Sequence, residues 1–307
     1  LYAEIAKLNP DDVAGYKRFL EYSRGVYEEG YVKLGSAAFL DFSSMIKAAP
    51  SLMKYQAWRS VYGVVSSYVK DERQALSFHT LLVGGNPMTT SSIYALIHTI
   101  EKDGGVWFAR GGTNALVSGM VALFERLGGT IRLGDAVQEI ITQGDRAIGV
   151  RTVSGWTGHA DQVACNGDVM HSYRDLLKGH KRGASRAKAL AKKRWSPSLF
   201  VVHFGVEGEY PDIAHHSIIF GPRYQGLLGD IYNNGRVPED FSLYLHHPSA
   251  TDKSVAPEGH STFYALAPVA HLGKANVDWD GDFGRQFADS ILEEVERRVA
   301  PGLRGRI

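Results

Sequence analysis

Apolar positions recur every three or four residues through the first third of the chain and nearly every second residue through the last third. Between residues 9 and 35, Val13, Tyr16, Leu20 and Tyr27 keep a helical spacing. Asn9 suits the cap, Pro10 the first turn, and Asp11 and Asp12 the positive end of the helix dipole, while glycines around Gly30 and Gly35 end the run. Residues 43–70 predict two helices jointed at Pro50, the second carrying Leu52, Met53, Ala57, Val61, Val64, Val65 and Tyr68 at steps of three and four. Gly84-Gly85-Asn86-Pro87 breaks the chain, and Ser91 or Ser92 can cap a helix over 93–101.

The middle of the chain alternates glycine pairs with regular elements. Val106, Trp107 and Phe108 read as a strand, and Thr113 as the cap of a helix whose one face is Leu116, Met120, Leu123, Phe124 and Leu127. Gly128-Gly129 stops that helix, and Ile131 and Leu133 alternate as in a strand. Val137 to Ile141 and Ile148 to Thr152 predict a hairpin about Gly144-Asp145; Gln162 to Cys165 predicts a short strand, and Asp168 opens a helix reaching Leu177. After Lys193 come strands over 199–206, 216–220, 241–247 and 263–269, apolar on both alternating faces. Such strands are buried on both sides, or face helices on one side and an apolar cavity on the other. Residues 282–299 predict a closing amphipathic helix.

Composition narrows the function classes. With 307 residues, 44% of them hydrophobic, the chain can bury a sizeable core. A net charge of +1 and no basic stripe argue against nucleic acid; the Lys- and Arg-rich stretch 178–194 reads as a solvated loop and helix. The single cysteine, Cys165, permits no intrachain disulfide and reads as a small buried hydrophobe. No run approaches the ~20 apolar residues of a membrane span, so a cytoplasmic setting with surface attachment to a membrane is expected. Starting at Leu1, the chain is expected to be a piece of a longer protein. No Gly-x-Gly-x-x-Gly fingerprint and no nucleophile elbow occur. Of twelve histidines, the pairs His215-His216 and His246-His247 lie in strand-like context, where neighbours point to opposite faces, so no metal site is expected.

The blocks "SFHTLLVGGNPMTTSSIYALIH", "GGVWFARGGTNALVSGMVALFERLGG", "CNGDVMHSYRDLL", "SLFVVHFG", "FGPRY", "EDFSLYLHHPSATDKSVAPEG" and "YALAPVAHLG" together resemble the bacterial-type phytoene desaturases, flavin-dependent carotenoid dehydrogenases. They occur in the family's order and cover nearly the whole chain. The resemblance implies a mixed α/β and α+β fold, in which part of an FAD-binding Rossmann-like domain is interleaved with a substrate domain of β-sheet and helices. It assigns residues 1–109 to the helical, membrane-facing part of the substrate domain, 110–180 to the return segment of the FAD domain, and 181–307 to the substrate sheet and closing helix. It also implies that Val137 meets the adenine end of FAD through its backbone, and that Cys165, Asn166 and Gly167 re-enter near the dinucleotide. The glycine fingerprint and a second flavin motif, usual in the family, are expected outside residues 1–307.

The implied reaction removes hydrogen across a saturated carbon pair beside existing double bonds, with FAD as hydride acceptor and a quinone or oxygen as candidate final acceptor. Phytoene offers no polar handle, so recognition rests on shape and burial. Phe78, Trp107, Phe108, Phe200 and Phe204 are the expected tunnel aromatics, and Lys47 and Arg110 the expected polar groups at the pocket edge. A related carotenoid oxidase or isomerase, a shorter-chain desaturase, and a non-catalytic lipid-binding module remain alternatives.

Overall fold

The computed structural model describes residues 1–37, 42–71 and 73–307. Its helices are α1 (Tyr2–Leu8), α2 (Asp12–Tyr27), α3 (Phe42–Lys54), α4 (Val61–Val65), α5 (Ile97–Thr99), α6 (Gly112–Arg126), α7 (Val169–His171), α8 (Lys181–Leu190), α9 (Tyr224–Gly229) and α10 (Asp282–Arg298). Its strands are β1 (Val137–Gln143), β2 (Arg146–Thr152), β3 (Thr157–His159), β4 (Ser198–Glu207), β5 (His216–Ile219), β6 (Leu243–His246) and β7 (His260–Val269). Leu1–Ala115 and Ser196–Ile307 form one compact unit, and Leu116–Trp195 a second. The helical first third and the late strands thus share a unit.

In the larger unit an antiparallel sheet of order β4-β7-β6-β5 carries α10 on one face. Phe287, Ile291 and Val295 recur every four residues along α10 and are buried against Leu243, Leu245, Phe263, Ala265 and Val269. Asp282 in the first turn and Arg297 and Arg298 in the last agree with the helix dipole. A second core, among the helices, gathers Ile5, Tyr16, Phe19, Val61, Val65 and Val69. There Asp12 accepts backbone hydrogen bonds from Lys70 (2.8 and 2.9 Å) and Asp71 (2.9 Å). Gly15 is required at its place, because a Cβ would collide with the Tyr68 carbonyl.

Pro50 does not break the chain; it lies inside α3. The joint falls later, where Gln56 takes a positive φ of 52° and the Ser60 hydroxyl caps α4 by accepting from the Gly63 N–H. Ser91 caps the helical run from Ser92 as expected, accepting from the Ile93 N–H. Val106 to Phe108 is a loop and not a strand. Trp107 there is 89% exposed.

The smaller unit holds the meander β1-β2-β3. Its first hairpin turns at Gly144, whose φ of +58° suits a residue without Cβ. Asp168 opens α7 by accepting the His171 N–H at 2.8 Å. Ile131 and Leu133 form no strand, nor do Gln162 to Cys165, since neither stretch meets a ladder partner among the described residues. Every ladder described is antiparallel. None of α6's residues is buried.

Candidate functional site

The face of the four-stranded sheet away from α10 is only partly covered, and the register fixes what it presents. Strand neighbours alternate between faces, so the residues opposite Leu245 and Ala265 belong to the α10 core and their neighbours to the open face. Across β4-β7-β6-β5 the pairings His203↔Tyr264, Tyr264↔His246 and His246↔His216 make one continuous row. The next row is Val201↔Leu266, Leu266↔Tyr244 and Tyr244↔Ile218. Leu199 opposite Pro268 extends the apolar side further. The face therefore grades from an imidazole-and-phenol edge to a hydrocarbon edge within three rows.

The polar row is tightly stacked. His246 lies 4.6 Å from Tyr264 in a stacked arrangement, and His203 lies 5.3 Å from Tyr264. His215 precedes β5, escapes strand alternation, and turns its ring to the same side, 4.3 Å from His216 and 4.7 Å from His246. The expectation that these neighbours diverge thus fails for His215-His216. It holds for His246-His247: His247 is buried under the sheet, its Nδ1–H donating to the Ile213 carbonyl at 3.0 Å.

Hydroxyls orient the rings. Tyr244 Oη lies 2.6 Å from His216 Nδ1 and 3.1 Å from His246 Nδ1, and Thr251 Oγ1 lies 2.6 Å from His215 Nδ1. Burial, then the neighbouring imidazoles, pulls the His246 pKa down to about 4. Burial likewise lowers His215 and His216 and raises the Tyr244 phenol. At neutral pH His215, His216 and His246 are thereby held uncharged.

The expected site residues separate. Phe108 joins this edge, 4.7 Å from His215 and 6.2 Å from His246. Arg110 is exposed beside it: the neighbouring Gly111 N–H donates to Asp252 at 2.7 Å, and that bond, hydrogen bonds from Ser254 and the Arg110 charge hold the Asp252 carboxyl below its usual range. Phe200 and Phe204 lie on the α10 side. Phe200 packs edge-on to Phe287 at 5.1 Å and Phe204 stacks on Phe263 at 5.5 Å, so both are core residues and not channel wall. Phe78 is half-buried against His79 and Phe220. Trp107 projects away, its indole N–H donating to the Gly104 carbonyl. The side chain of Lys47 lies outside the described residues.

In the smaller unit Val137 begins β1, an edge strand of its meander. Cys165 is exposed, correcting its reading as a buried hydrophobe, and its Sγ lies 3.1 Å from Ser172 Oγ. Asn166 is exposed beside it. The row His203–Tyr264–His246–His216 escaped the sequence reading; its signal was the alternation Tyr244-x-His246 set against His216 once strand order is known. The helical layer adds an apolar cavity of about 260 Å³ lined by Val26, Leu34, Leu52, Tyr55 and Ile93.

Residues 5–299 match the model of the flavin-containing amine oxidoreductases. The chain is 57% identical over its whole length to a lycopene-forming phytoene desaturase of a Paracoccus species, covering 62% of that protein. It is 51% identical over its whole length to the lycopene-forming phytoene desaturase of Pantoea ananas, covering 63% of it. It is 42% identical over 99% of its length to the neurosporene-forming phytoene desaturase of Cereibacter sphaeroides, covering 60%. The chain thus spans about three-fifths of these relatives. Among solved structures, an oxidoreductase from Methanosarcina mazei shares the fold with a TM-score of 0.55 at 16% identity, over 86% of this chain and 59% of that one. A Pyrococcus furiosus protein does so with a TM-score of 0.55 at 17% identity, over 81% of this chain and 57% of that one.

Proposed function

The chain belongs to the flavin-containing amine oxidoreductase family, and from that premise we propose that it carries the substrate-facing part of an FAD-dependent phytoene desaturase. The activity is the desaturation of a long isoprenoid hydrocarbon toward lycopene or a partly desaturated carotene. The observation that carries this reading is the 57% identity, across the entire chain, to a lycopene-forming phytoene desaturase.

The open sheet face supplies the physical support. A hydrocarbon is held by apolar burial worth ~25 cal/mol per Å², so covering 200 Å² contributes about 5 kcal/mol. Leu199, Val201, Ile218 and Leu266 form the floor for such a chain, and Tyr264, Tyr244 and His246 offer aromatic faces to its conjugated part. Phe108 closes the polar edge, with Arg110 at its rim. Phe78 lies off that face, and Lys47 keeps its place as a pocket-edge cation from the family resemblance alone.

The smaller unit fits a contact with the adenine end of FAD. One side of the β1 backbone at Val137 has no strand partner among the described residues, and the Cys165-Asn166 turn is exposed. Val137, Cys165 and Asn166 would hold that end. The uncovered apolar face of α6 fits the remaining part of a nucleotide-binding sheet supplied by the length the relatives have beyond this span. Bound flavin supplies the two-electron acceptor, with a quinone or oxygen as final acceptor. The chain's own part is to orient the polyene and exclude water.

Among the described residues no helix is long and apolar enough to cross a membrane. A lipid-dissolved substrate calls for contact with a membrane surface from the cytoplasmic side, and the exposed Tyr31, Val32, Ile46, Met53 and Trp58 of the helical layer are suited to it.

The test is expression of the complete reading frame containing this chain in phytoene-producing cells. Coloured carotenes and flavin in the purified protein are expected. Colourless cells holding folded, flavin-free protein would overturn the reading in favour of a lipid-binding module.

A further inference from the structure

We propose that His215, His216 and His246 form a binding site for one borderline divalent transition-metal ion, with Zn²⁺ as the reference case. The ion is held by three imidazole nitrogens, with a fourth position left open. The site stands independently of the hydrocarbon reading.

Three observations converge on it. First, one ring nitrogen from each histidine lies within 4.8 Å of the other two. Ligand nitrogens around tetrahedral zinc stand about 3.3 Å apart, from Zn–N bonds of ~2.05 Å, so closure asks each ring for a shift of about 1 Å. Register favours that shift, since His216 and His246 are directly opposite on adjacent strands and His215 adjoins the pair.

Second, the Nε2 of His215 is buried and has no hydrogen-bond partner. A buried polar atom left unpaired costs about 1–3 kcal/mol, and a cation at the centre of the three rings removes that cost.

Third, a hydroxyl engages Nδ1 of every ring, which leaves Nε2 of each as the nitrogen available to an ion. Thr251 holds His215 Nδ1, and Tyr244 holds both His216 Nδ1 and His246 Nδ1. That division matches metal-binding histidines, whose outer nitrogen is fixed by a hydrogen bond while the inner one ligates. For Nε2 of every ring to ligate, each ring carries its proton on Nδ1, so Tyr244 Oη accepts from both His216 and His246 and Thr251 Oγ1 accepts from His215.

The donor set also selects the ion. Three neutral imidazoles without thiolate or carboxylate suit Zn²⁺, Co²⁺, Ni²⁺ or Cu²⁺ and disfavour Mg²⁺ and Ca²⁺, which demand oxygen. The second histidine cluster, His79, His98 and Glu101, also holds a buried unpartnered nitrogen, His79 Nδ1, but two of its candidate ligand atoms are committed: His79 Nε2 pairs with Glu101 at 3.1 Å and His98 Nε2 with the Leu76 carbonyl at 2.9 Å.

The test uses the purified full chain, stripped with chelator and then dialysed against Zn²⁺ or Co²⁺. One equivalent per chain is expected, with a visible Co²⁺ spectrum of tetrahedral nitrogen ligation. His216→Ala removes an exposed ligand without touching the core, and it should abolish that spectrum while the metal-free proteins melt within error of each other. His246→Gln should do the same, and Tyr244→Phe should weaken binding by about 10–100-fold, the scale of a lost outer partner. His260→Ala and His79→Gln should leave binding unchanged. The proposal is overturned if the parent retains no more metal than the His216→Ala/His246→Gln double variant, or if His79→Gln abolishes binding.

Discussion

The four-stranded sheet and helix α6 both expose apolar positions on their partner-facing sides, yet one of them is finished and the other is not. Leu245 and Ala265 of the sheet and Ile291 of α10 are all 0% exposed, so the sheet and its helix complete a core from residues 196–307 alone. Helix α6 carries Leu116, Met120, Leu123 and Phe124, of which none is buried, and the stretch after it finds no strand partner among the described residues. Apolar surface of that kind is costly in water and is suited to burial against a partner surface. Self-sufficiency in the first region and its lack in the second are what separate the proposed substrate floor from the proposed edge of a cofactor domain.

The contrast can be broken by mutation. Ile291→Ala should cost about 2–5 kcal/mol in urea unfolding of the chain, because it opens a cavity in a closed core; a loss below 1 kcal/mol would mean that the sheet and α10 are not a finished unit. The next largest effect is pH-driven and lies in the helical layer. Burial, with the neighbouring His79, lowers the His98 pKa from 6.5 to about 4. The unfolded chain therefore binds the proton first. The contribution of His98 is intact above pH 6.5 and is lost progressively as pH falls to about 4, amounting to roughly 3 kcal/mol. Glu101, held below its usual range chiefly by its hydrogen bond from His79, adds to the acid loss as it protonates. Urea midpoints measured from pH 7 to 4 should flatten in His98→Gln, which keeps a donor for the Leu76 carbonyl. Equal slopes in parent and variant would refute the assignment.

Smaller effects sharpen the picture. Asp12→Ala strips acceptors from the Lys70 and Asp71 N–H groups and should cost about 2 kcal/mol by the same measurement. Met120→Ala, at a 63% exposed position on α6, should change stability by less than about 0.5 kcal/mol in this chain. The same substitution should become several-fold more costly in the complete reading frame if α6 is covered there.

How much of this was legible depended on what each signal encodes. Alternation located β4 to β7, and turn chemistry located the Gly144 hairpin and the Ser91 and Asp168 caps, because those signals are local. Alternation cannot say which face is inside when both are apolar, so Phe200 and Phe204 read as channel wall although they lie in the core on the α10 side of the sheet. Val106 to Phe108 and Ile131 to Leu133 carry strand composition without strand pairing, since a strand requires a partner that composition cannot supply. Pro50 is tolerated within α3, and the chain breaks instead at Gln56 and Ser60. The His215–His216–His246 grouping was hidden because it depends on strand order, and because His215 sits one residue outside the ladder where alternation ceases.

The central claim is that the sheet face opposite α10 receives the hydrocarbon, and it is tested most directly by placing a charge there. Val201→Glu, on the open face in register with Leu266, should leave the complete protein soluble and flavin-loaded while abolishing carotene colour in phytoene-producing cells. Parent-level colour from folded Val201→Glu protein would contradict the account.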